Sequence, residues 1–267
     1  MRIMNGLVIG TVLLCVFWVM PAHATIDWVD SFEYADDTAF GNVWSHSCLG
    51  NPGISTLRPF RGSKSLRLVY RGAVGVDPGA GGCFVDRNLA AKSDTLYTRF
   101  YIYMENFTVN PTQTKMTFQG QSAAYPSFWW GMNNSPVLNV GIQGIIKDNG
   151  VQDTIVRFGG TIPQNQWACV ELRLTMSSPG VDNGIVQAWV NGTQTMNFSN
   201  VRMRAATLNQ QNSPTAQFQV VRLYTQHGWG VIYYDDYAVS RDARIGCTAS
   251  PSGDSQAPLP PTNLMIR

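Results

Sequence analysis

The sequence predicts an all-β protein, a two-sheet antiparallel β-sandwich of jelly-roll type. Three observations predict it. A dozen short runs rich in β-branched and aromatic residues are separated by clusters of Gly, Pro, Asn and Ser. No segment sustains a helical period: "VRMRAATLN", at 201–209, has room for one short helix and reads better as a loop with a turn. Charged residues are 13% of the chain, about half the usual globular share, and Gly is 25 of 267. That balance suits an extracellular β protein, and many short strands without helices bury their apolar faces by stacking two sheets.

In chain order the strand-like runs are 25–34 (TIDWVDSFEY), 63–71 (SKSLRLVYR), 81–89 (GGCFVDRNL), 96–104 (LYTRFYIYM), 113–121 (QTKMTFQGQ) and 126–132 (PSFWWGM). They continue with 137–144 (VLNVGIQG), 153–160 (DTIVRFGG), 167–176 (WACVELRLTM), 183–192 (NGIVQAWVNG), 216–225 (AQFQVVRLYT) and 230–240 (GVIYYDDYAVS). The run 96–104 has the clearest period of two. Phe100, Ile102 and Met104 fall on one side, a core face, and Arg99, Tyr101 and Tyr103 on the other. An ordinary solvent face would carry Lys, Glu, Ser and Thr, so this second side needs an explanation.

The ends of the chain differ from its middle. Residues 1–24 carry Arg2, then an apolar run, then Ala22-His23-Ala24 in the small-x-small form of a cleavage site, the pattern of a secretory signal peptide cut after Ala24. The run is short for a membrane span. A secreted or periplasmic protein with no membrane partner after cleavage is expected, as one domain over 25–248. From 249 to 267 the chain is rich in Pro and Ser and reads as an extended tail. The formal net charge of +2 gives no basic excess for a nucleic-acid partner. A monomer is expected.

Once the leader is removed, four cysteines remain: Cys48, Cys83, Cys169 and Cys247. An even number in an exported chain implies two disulfides. Of three pairings, Cys48–Cys83 and Cys169–Cys247 are favoured, because each joins segments able to be neighbouring strands. Such bridges contribute roughly 4 kcal/mol each in the chain-entropy model. No CxxC pair supports zinc.

Five phrases in order, "DWVDSFEY", "GSKSLRLVY", "LYTRFYIYM", "WACVELRLTMSSPGVDNGIVQAWVNG" and "VIYYDDYAVS", resemble the concanavalin-A-like lectin/glucanase superfamily. Within it they are similar to bacterial jelly rolls related to polysaccharide lyases and laminin-G-like domains. The resemblance covers about residues 26 to 247. Its most specific part is the Trp167–Leu172 strand followed by a strand that carries Trp189 and closes on Asn191-Gly192, a pair suited to a tight turn of positive φ. The resemblance implies the fold; the activity varies among proteins that share it.

In such jelly rolls one sheet is curved and its concave face takes the ligand. That implies a groove lined by Arg99, Tyr101 and Tyr103. The same phasing sets Lys115, Thr117 and Gln119 outward in 113–121, Asn139, Gly141 and Gln143 in 137–144, and Arg222, Tyr224 and Gln226 in the run before His227. Trp129 and Trp130 must face opposite sides, and Trp130 is taken as the outward one. The expected binding residues are therefore Tyr101, Gln119, Trp130, Asn139, Gln143, Tyr224 and Gln226. Aromatic rings stack on sugars while amides and cations bind hydroxyls and carboxylates. The bland alternative is that Tyr and Thr are simply good strand formers.

A glycosidase of the usual kind needs two facing carboxylates. Glu105 and Glu171 have no partner visible in the sequence, which disfavours hydrolysis. Lyase chemistry, raised by the resemblance, needs a residue to neutralise the substrate carboxylate and a base to take the adjacent proton. Arg99 is assigned the first role, Tyr103 or His227 the second, and Lys115 or Tyr103 the assistance of the leaving oxygen. The chain departs from the family's lyase pattern, since it has no R-x-E-[LV]-R strand with a Q-[IV]-H strand.

The resemblance also implies a structural calcium held by Glu33, Asp235 and Asp236. The alternative is a hydrogen-bonded acid pair that pins the N-terminal strand through backbone amides rather than a metal. The expected function is an exported carbohydrate-active domain that binds, and in its sharper form cleaves by β-elimination, an anionic polysaccharide. The rival is a non-catalytic laminin-G-like adhesion or surface module that contacts protein.

Overall fold

A computed structural model of the chain describes residues 24–47, 52–70, 83–109, 114–121, 124–133, 135–146, 152–207, 213–226 and 228–247. The strands are β1 (Ile26–Asp30), β2 (Ser45–Ser47), β3 (Gly53–Ser55), β4 (Ser65–Tyr70), β5 (Cys83–Ser93), β6 (Thr95–Val109), β7 (Thr114–Gln121) and β8 (Ala124–Asn133). They continue with β9 (Ser135–Ile146), β10 (Gln152–Thr161), β11 (Trp167–Thr175), β12 (Gly184–Val190), β13 (Thr193–Val201), β14 (Phe218–Gln226) and β15 (Gly228–Ser240). One short helix, α1 (Asp37–Gly41), was not expected; Asp36 caps it by accepting the Ala39 N–H. The segment 202–207 is a loop.

Two antiparallel sheets result. The eight-stranded sheet runs β13-β12-β11-β6-β15-β4-β3, with β1 also on β15, and the seven-stranded sheet runs β10-β9-β8-β7-β14-β5-β2. The expected jelly-roll sandwich is therefore the observed architecture. Between the sheets pack Phe100, Ile102 and Met104 of β6, Leu172 of β11, Ile232 and Tyr234 of β15, and Phe128, Trp130, Leu138, Val140, Val221 and Leu223 from the other side. The Asn191-Gly192 turn between β12 and β13 has φ of 49° and 81°, as the pair requires.

A β-bulge decides how β15 meets β6. Asp235 pairs with Tyr101, but Ala238 pairs with Arg99, so the bulged strand spends one extra residue there. Asp236 takes the left-handed conformation at φ 47°, which an Asp tolerates. The bulge lets Tyr234 and Tyr237 both enter the core, while the carboxylates between them work on the outer side of the eight-stranded sheet.

Those carboxylates hold the loop 56–64 against that outer side. Asp235 Oδ2 accepts the N–H groups of Phe60 (2.8 Å) and Arg61 (3.0 Å), and its Oδ1 accepts the Asp236 N–H (2.7 Å). Asp236 pairs with Arg99 at 2.9 Å and with Arg61 at 3.3 Å. Glu33 takes the other end of the loop, accepting from Ser63 N, Ser63 Oγ and Lys64 N. Phe60 then stacks on Tyr101 at 3.7 Å between centroids. From the other direction the segment 241–247 is clamped by the Cys169–Cys247 disulfide and by Glu171, which accepts from Arg244 and from Gly246 N. Cys83 is disulfide-bonded; its expected partner Cys48, like the leader 1–23 and the tail from 248, lies outside the described residues.

Burial pushes the Asp235 carboxyl up to about 7, against the three N–H groups that pull it down. Between about pH 4 and 7 the folded protein therefore holds a proton that the unfolded chain, with an ordinary carboxyl, has released. Stability from this group is complete at low pH, declines through that window and levels above it. Thermal unfolding followed from pH 4 to 8 should show this component of the slope, and Asp235→Asn should remove it. An unchanged slope in the variant would assign the effect elsewhere.

Candidate functional site

The expected groove divides between two faces on opposite sides of the sandwich. Arg99, Tyr101 and Tyr103 do face away from the core, but they lie on the eight-stranded sheet under the loop 56–64 and the segment 241–247. Arg99 is 4% exposed and Tyr101 3%. Arg99 donates to Asp236 Oδ1, the Asp236 carbonyl and, at 3.5 Å, the Gly246 carbonyl. Tyr103 lies beneath the Arg58 guanidinium at 5.0 Å and against Trp167 and Tyr233. Lys115 belongs to β7 in the other sheet, so Arg99, Tyr103 and Lys115 do not make one catalytic constellation. The two glutamates also have partners: Glu105 pairs with Arg58 at 2.9 Å, and Glu171 pairs with Arg244.

The acid residues are not brought to one point either. Glu33, Asp235 and Asp236 are engaged by N–H groups and guanidinium groups as described, which is the amide-pinning alternative. What they pin is the loop 56–64 and not the first strand. Among the described residues, the one group of ligand-type side chains close enough for a metal is Cys169, Glu171 and Cys247, and two of these are joined as the disulfide. Its sulfurs are not thiolates, so that group is no metal centre.

The outer face of the seven-stranded sheet carries a different set. On β9, Leu138 and Val140 turn inward and leave Asn139 and Gly141 outward, as the period predicts. On β8 the inward residues are Phe128, Trp130 and Met132. The outward indole is therefore Trp129, and Trp130 is a core residue that donates to Gln119 Oε1 at 2.6 Å. Gln119 faces the core, where its amide donates to Thr98. The β7 phasing reverses because the register shifts between Lys115 and Thr117, so that Met116 and Thr117 are both fully buried. On β14 the expected phasing holds: Val221, Leu223 and Thr225 are fully buried and Arg222 lies outward.

This face is graded in exposure across its strands. Asn88 on β5 is exposed. Arg222 and Asp86, paired across β14 and β5, have side chains 24% and 21% exposed. Trp129 is 4% exposed and Asn139 1%. Arg222 grips Asp86 through Nε and Nη2, and its guanidinium lies 4.0 Å over the Phe84 ring. At the buried end, Trp129 lies over Gly141, where an added Cβ would stand 2.0 Å from two indole atoms. Beside it Gly131 pairs with Asn139. The Asn139 amide, oxygen and nitrogen alike, has no hydrogen-bond partner among the described residues. A buried polar group in that condition costs about 1–3 kcal/mol and is a reason to look for a ligand or water.

Of the remaining expected residues, Gln143 pairs with Ser127 on this sheet and Tyr224 pairs with Phe84. Gln226 pairs with Lys115, which in turn pairs with Gly131. The side chains of Lys115, Gln143, Tyr224 and Gln226, and all of His227, lie outside the described residues. The sequence reading missed Asp86 and chose the wrong tryptophan. The first was legible: "CFVDRN" with Cys83 and Val85 inward leaves Phe84, Asp86 and Asn88 outward. For the second, Gly131 and Gly141 were the available signal, since only small neighbours leave room for an indole lying across the sheet.

Gly141→Ala should force Trp129 from its place. The expected cost is about 1–3 kcal/mol of stability, with a changed tryptophan signal in near-ultraviolet circular dichroism. A spectrum and thermal midpoint like the wild type would mean that Trp129 does not lie over Gly141.

No family model matches the sequence, and no curated protein does. Solved structures match by fold. The endo-β-1,4-glucuronan lyase from the fungus Trichoderma reesei is 16% identical, with 81% of this chain and 95% of that one covered and a TM-score of 0.58. The cellulose induced protein Cip1 is 16% identical, covering 83% and 100%, with a TM-score of 0.57. The alginate lyase vAL-1 from Chlorella virus is 13% identical, covering 76% and 95%, with a TM-score of 0.55. The chain has the jelly-roll fold that these solved structures share.

Proposed function

We propose that this chain is an exported carbohydrate-active domain that holds an anionic polysaccharide on the outer face of its seven-stranded sheet. The observation that carries the reading is Asn139, a buried amide whose donors and acceptors are unused, set beside Trp129 on a floor opened by two glycines. An amide of this kind binds hydroxyls or a carboxylate edge, and an indole gives a sugar its apolar contact. The acidic character of the substrate is supported by two of the structural neighbours, which are named for glucuronan and alginate. Export is supported by the leader pattern and by the Cys169–Cys247 disulfide, a bond of oxidising compartments.

The sharper form of the proposal is β-elimination. The C5 proton beside a uronate carboxylate passes to a base, the C4–C5 double bond forms, the C4–O bond breaks, and the leaving oxygen takes a proton. Neutralising the carboxylate makes that proton more acidic. Asn139 suits the neutralising role, and the candidates for the base are the sequence-named Lys115 and His227 together with Tyr224, which the sequence phasing sets outward. Arg99 and Tyr103 have no part in it.

The test is a set of acidic polysaccharides (alginate, glucuronan, pectate and glycosaminoglycans) followed for binding and for ultraviolet absorbance of an unsaturated uronate. Wild-type protein should bind at least one of them. Asn139→Leu should abolish that binding while holding or raising the thermal midpoint, because it removes an unpaired buried amide. Binding that survives Asn139→Leu would move the site. Silence on every polysaccharide with the fold intact would favour the adhesion module that contacts protein. Binding without growth of absorbance would leave a lectin-like domain, and new reducing ends without absorbance would mean hydrolysis.

A further inference from the structure

The sandwich has a concavity at its edge, beside the exposed rim of the face just described. A cavity of about 400 Å³ opens between β1 and the end of β15 on one sheet and the second half of β5 on the other. Its lining includes Trp28, Arg87, Asn88, Leu89 and the ion pair Asp27–Arg241. Among the described residues, β2 pairs with β5 only as far as Asp86, and no strand pairs with β5 from Arg87 onward on that side.

Arg87 is the unusual member. Its guanidinium carbon lies 4.0 Å over the Trp28 ring, and Trp28 is itself braced by Trp44 at 5.4 Å and Tyr237 at 5.6 Å. The stack fixes the plane of the guanidinium. Among the described residues, no carboxylate or carbonyl accepts a hydrogen bond from that guanidinium. The acid nearest in effect is Asp30, which is already saturated by Phe32 N, the Tyr34 hydroxyl and Trp44 Nε1. Burial pulls the Arg87 guanidinium below its ordinary value and the field of Asp30 opposes this; it remains a cation at neutral pH. Elsewhere the chain supplies its stacked arginines with partners: Arg222 over Phe84 has Asp86, and Arg58 over Tyr103 has Glu105.

We infer that this edge pocket is an accessory subsite for a single uronate, whose carboxylate meets the in-plane N–H groups of Arg87. A carboxylate is the group a flat guanidinium binds through two parallel hydrogen bonds. The cavity is of a size for one sugar ring, and its rim alternates hydroxyl-binding groups (Asn88, Asp27, Arg241) with the small apolar wall of Leu89, Ala90 and Ala91. Asn88 also stands two residues beyond Asp86 on β5, so the pocket adjoins the exposed rim of the seven-stranded face. A chain lying on that face can turn a residue over the edge into it. The choice of a uronate over another carboxylate rests on the proposed function; the anion-binding role of Arg87 does not.

The experiment is a titration of the full chain with D-glucuronate, D-glucose and acetate, read by tryptophan fluorescence and by calorimetry. Glucuronate should bind saturably, and glucose and acetate each at least about tenfold more weakly. Arg87→Gln should weaken glucuronate about tenfold or more, the loss of a charge-assisted pair. Arg87→Lys, which keeps the charge without the planar fork, should fall between, and it serves if the Gln variant does not fold. Glucuronate affinity unchanged by both substitutions overturns the subsite, as does a complete lack of binding. Acetate as tight as glucuronate overturns its assignment to a sugar. Asn139→Leu separates the two sites: glucuronate binding lost in that variant and kept in Arg87→Gln would place the uronate on the seven-stranded face and overturn the edge pocket, whatever the polysaccharides show.

Discussion

The arrangement of this molecule depends on how two adjacent acids leave one strand. In a regular strand Asp235 and Asp236 would point to opposite faces, and one carboxylate would enter the core unpaired, at a cost of several kcal/mol. The bulge in β15, with Asp236 at φ 47°, avoids that. It sends both acids toward the loop 56–64, where backbone N–H groups and two arginines meet them. The loop is thereby pulled down over β6, and Phe60 covers Tyr101. One outer face of the sandwich is closed by this contact, so the ligand reading shifts to the other sheet.

The closure explains why the face of Arg99, Tyr101 and Tyr103 was misread. Its phase was right, since Phe100, Ile102 and Met104 are core residues. A period of two says which side a residue takes and nothing of what lies above it. The same aromatic and cationic composition suits a sugar groove and a small second core roofed by a loop. Such a roof depends on contacts between residues about 175 apart in the chain, Phe60 and Asp235, which no local pattern contains. The β9 and β14 faces were legible because those strands keep an unbroken period through Leu138–Val140 and Val221–Thr225. The β7 face was not, because a single extra residue near Met116 turned Thr117 and Gln119 inward.

Gln119 shows what the reversal builds. Its oxygen accepts from Trp130 and its nitrogen donates to Thr98 on the facing sheet, so an amide bridges the two layers inside a mainly apolar core. Buried amides are tolerable when their groups are paired and expensive when they are not. Asn139, about as buried, has no such pairing. Two amides in similar burial, one paired through both its oxygen and its nitrogen and one through neither, differ in their hydrogen-bond accounting, and the proposed role of Asn139 rests on that difference. That distinction was invisible in sequence, where both residues were read as outward polar groups.

The same accounting applies to the arginines stacked on rings along β5. Arg222 on Phe84 and Arg87 on Trp28 share a guanidinium-to-centroid distance of 4.0 Å. Stacking restrains the side chain and leaves the N–H edge free to bind in its plane. For Arg222 that edge is filled by Asp86, so the pair is nearly neutral and contributes shape to the seven-stranded face more than charge. Arg87 instead lines a cavity, and the carboxylate whose field acts on it, Asp30, has committed its oxygens to Phe32, Tyr34 and Trp44. The attraction between Asp30 and Arg87 persists at longer range, so the cation is held in place without a hydrogen-bond partner among the described residues. A positive group that is oriented, partly desolvated and so placed loses little freedom when an anion arrives, and this makes Arg87, more than the paired Arg222, the residue at which the proposed carboxylate would find the fold prepared.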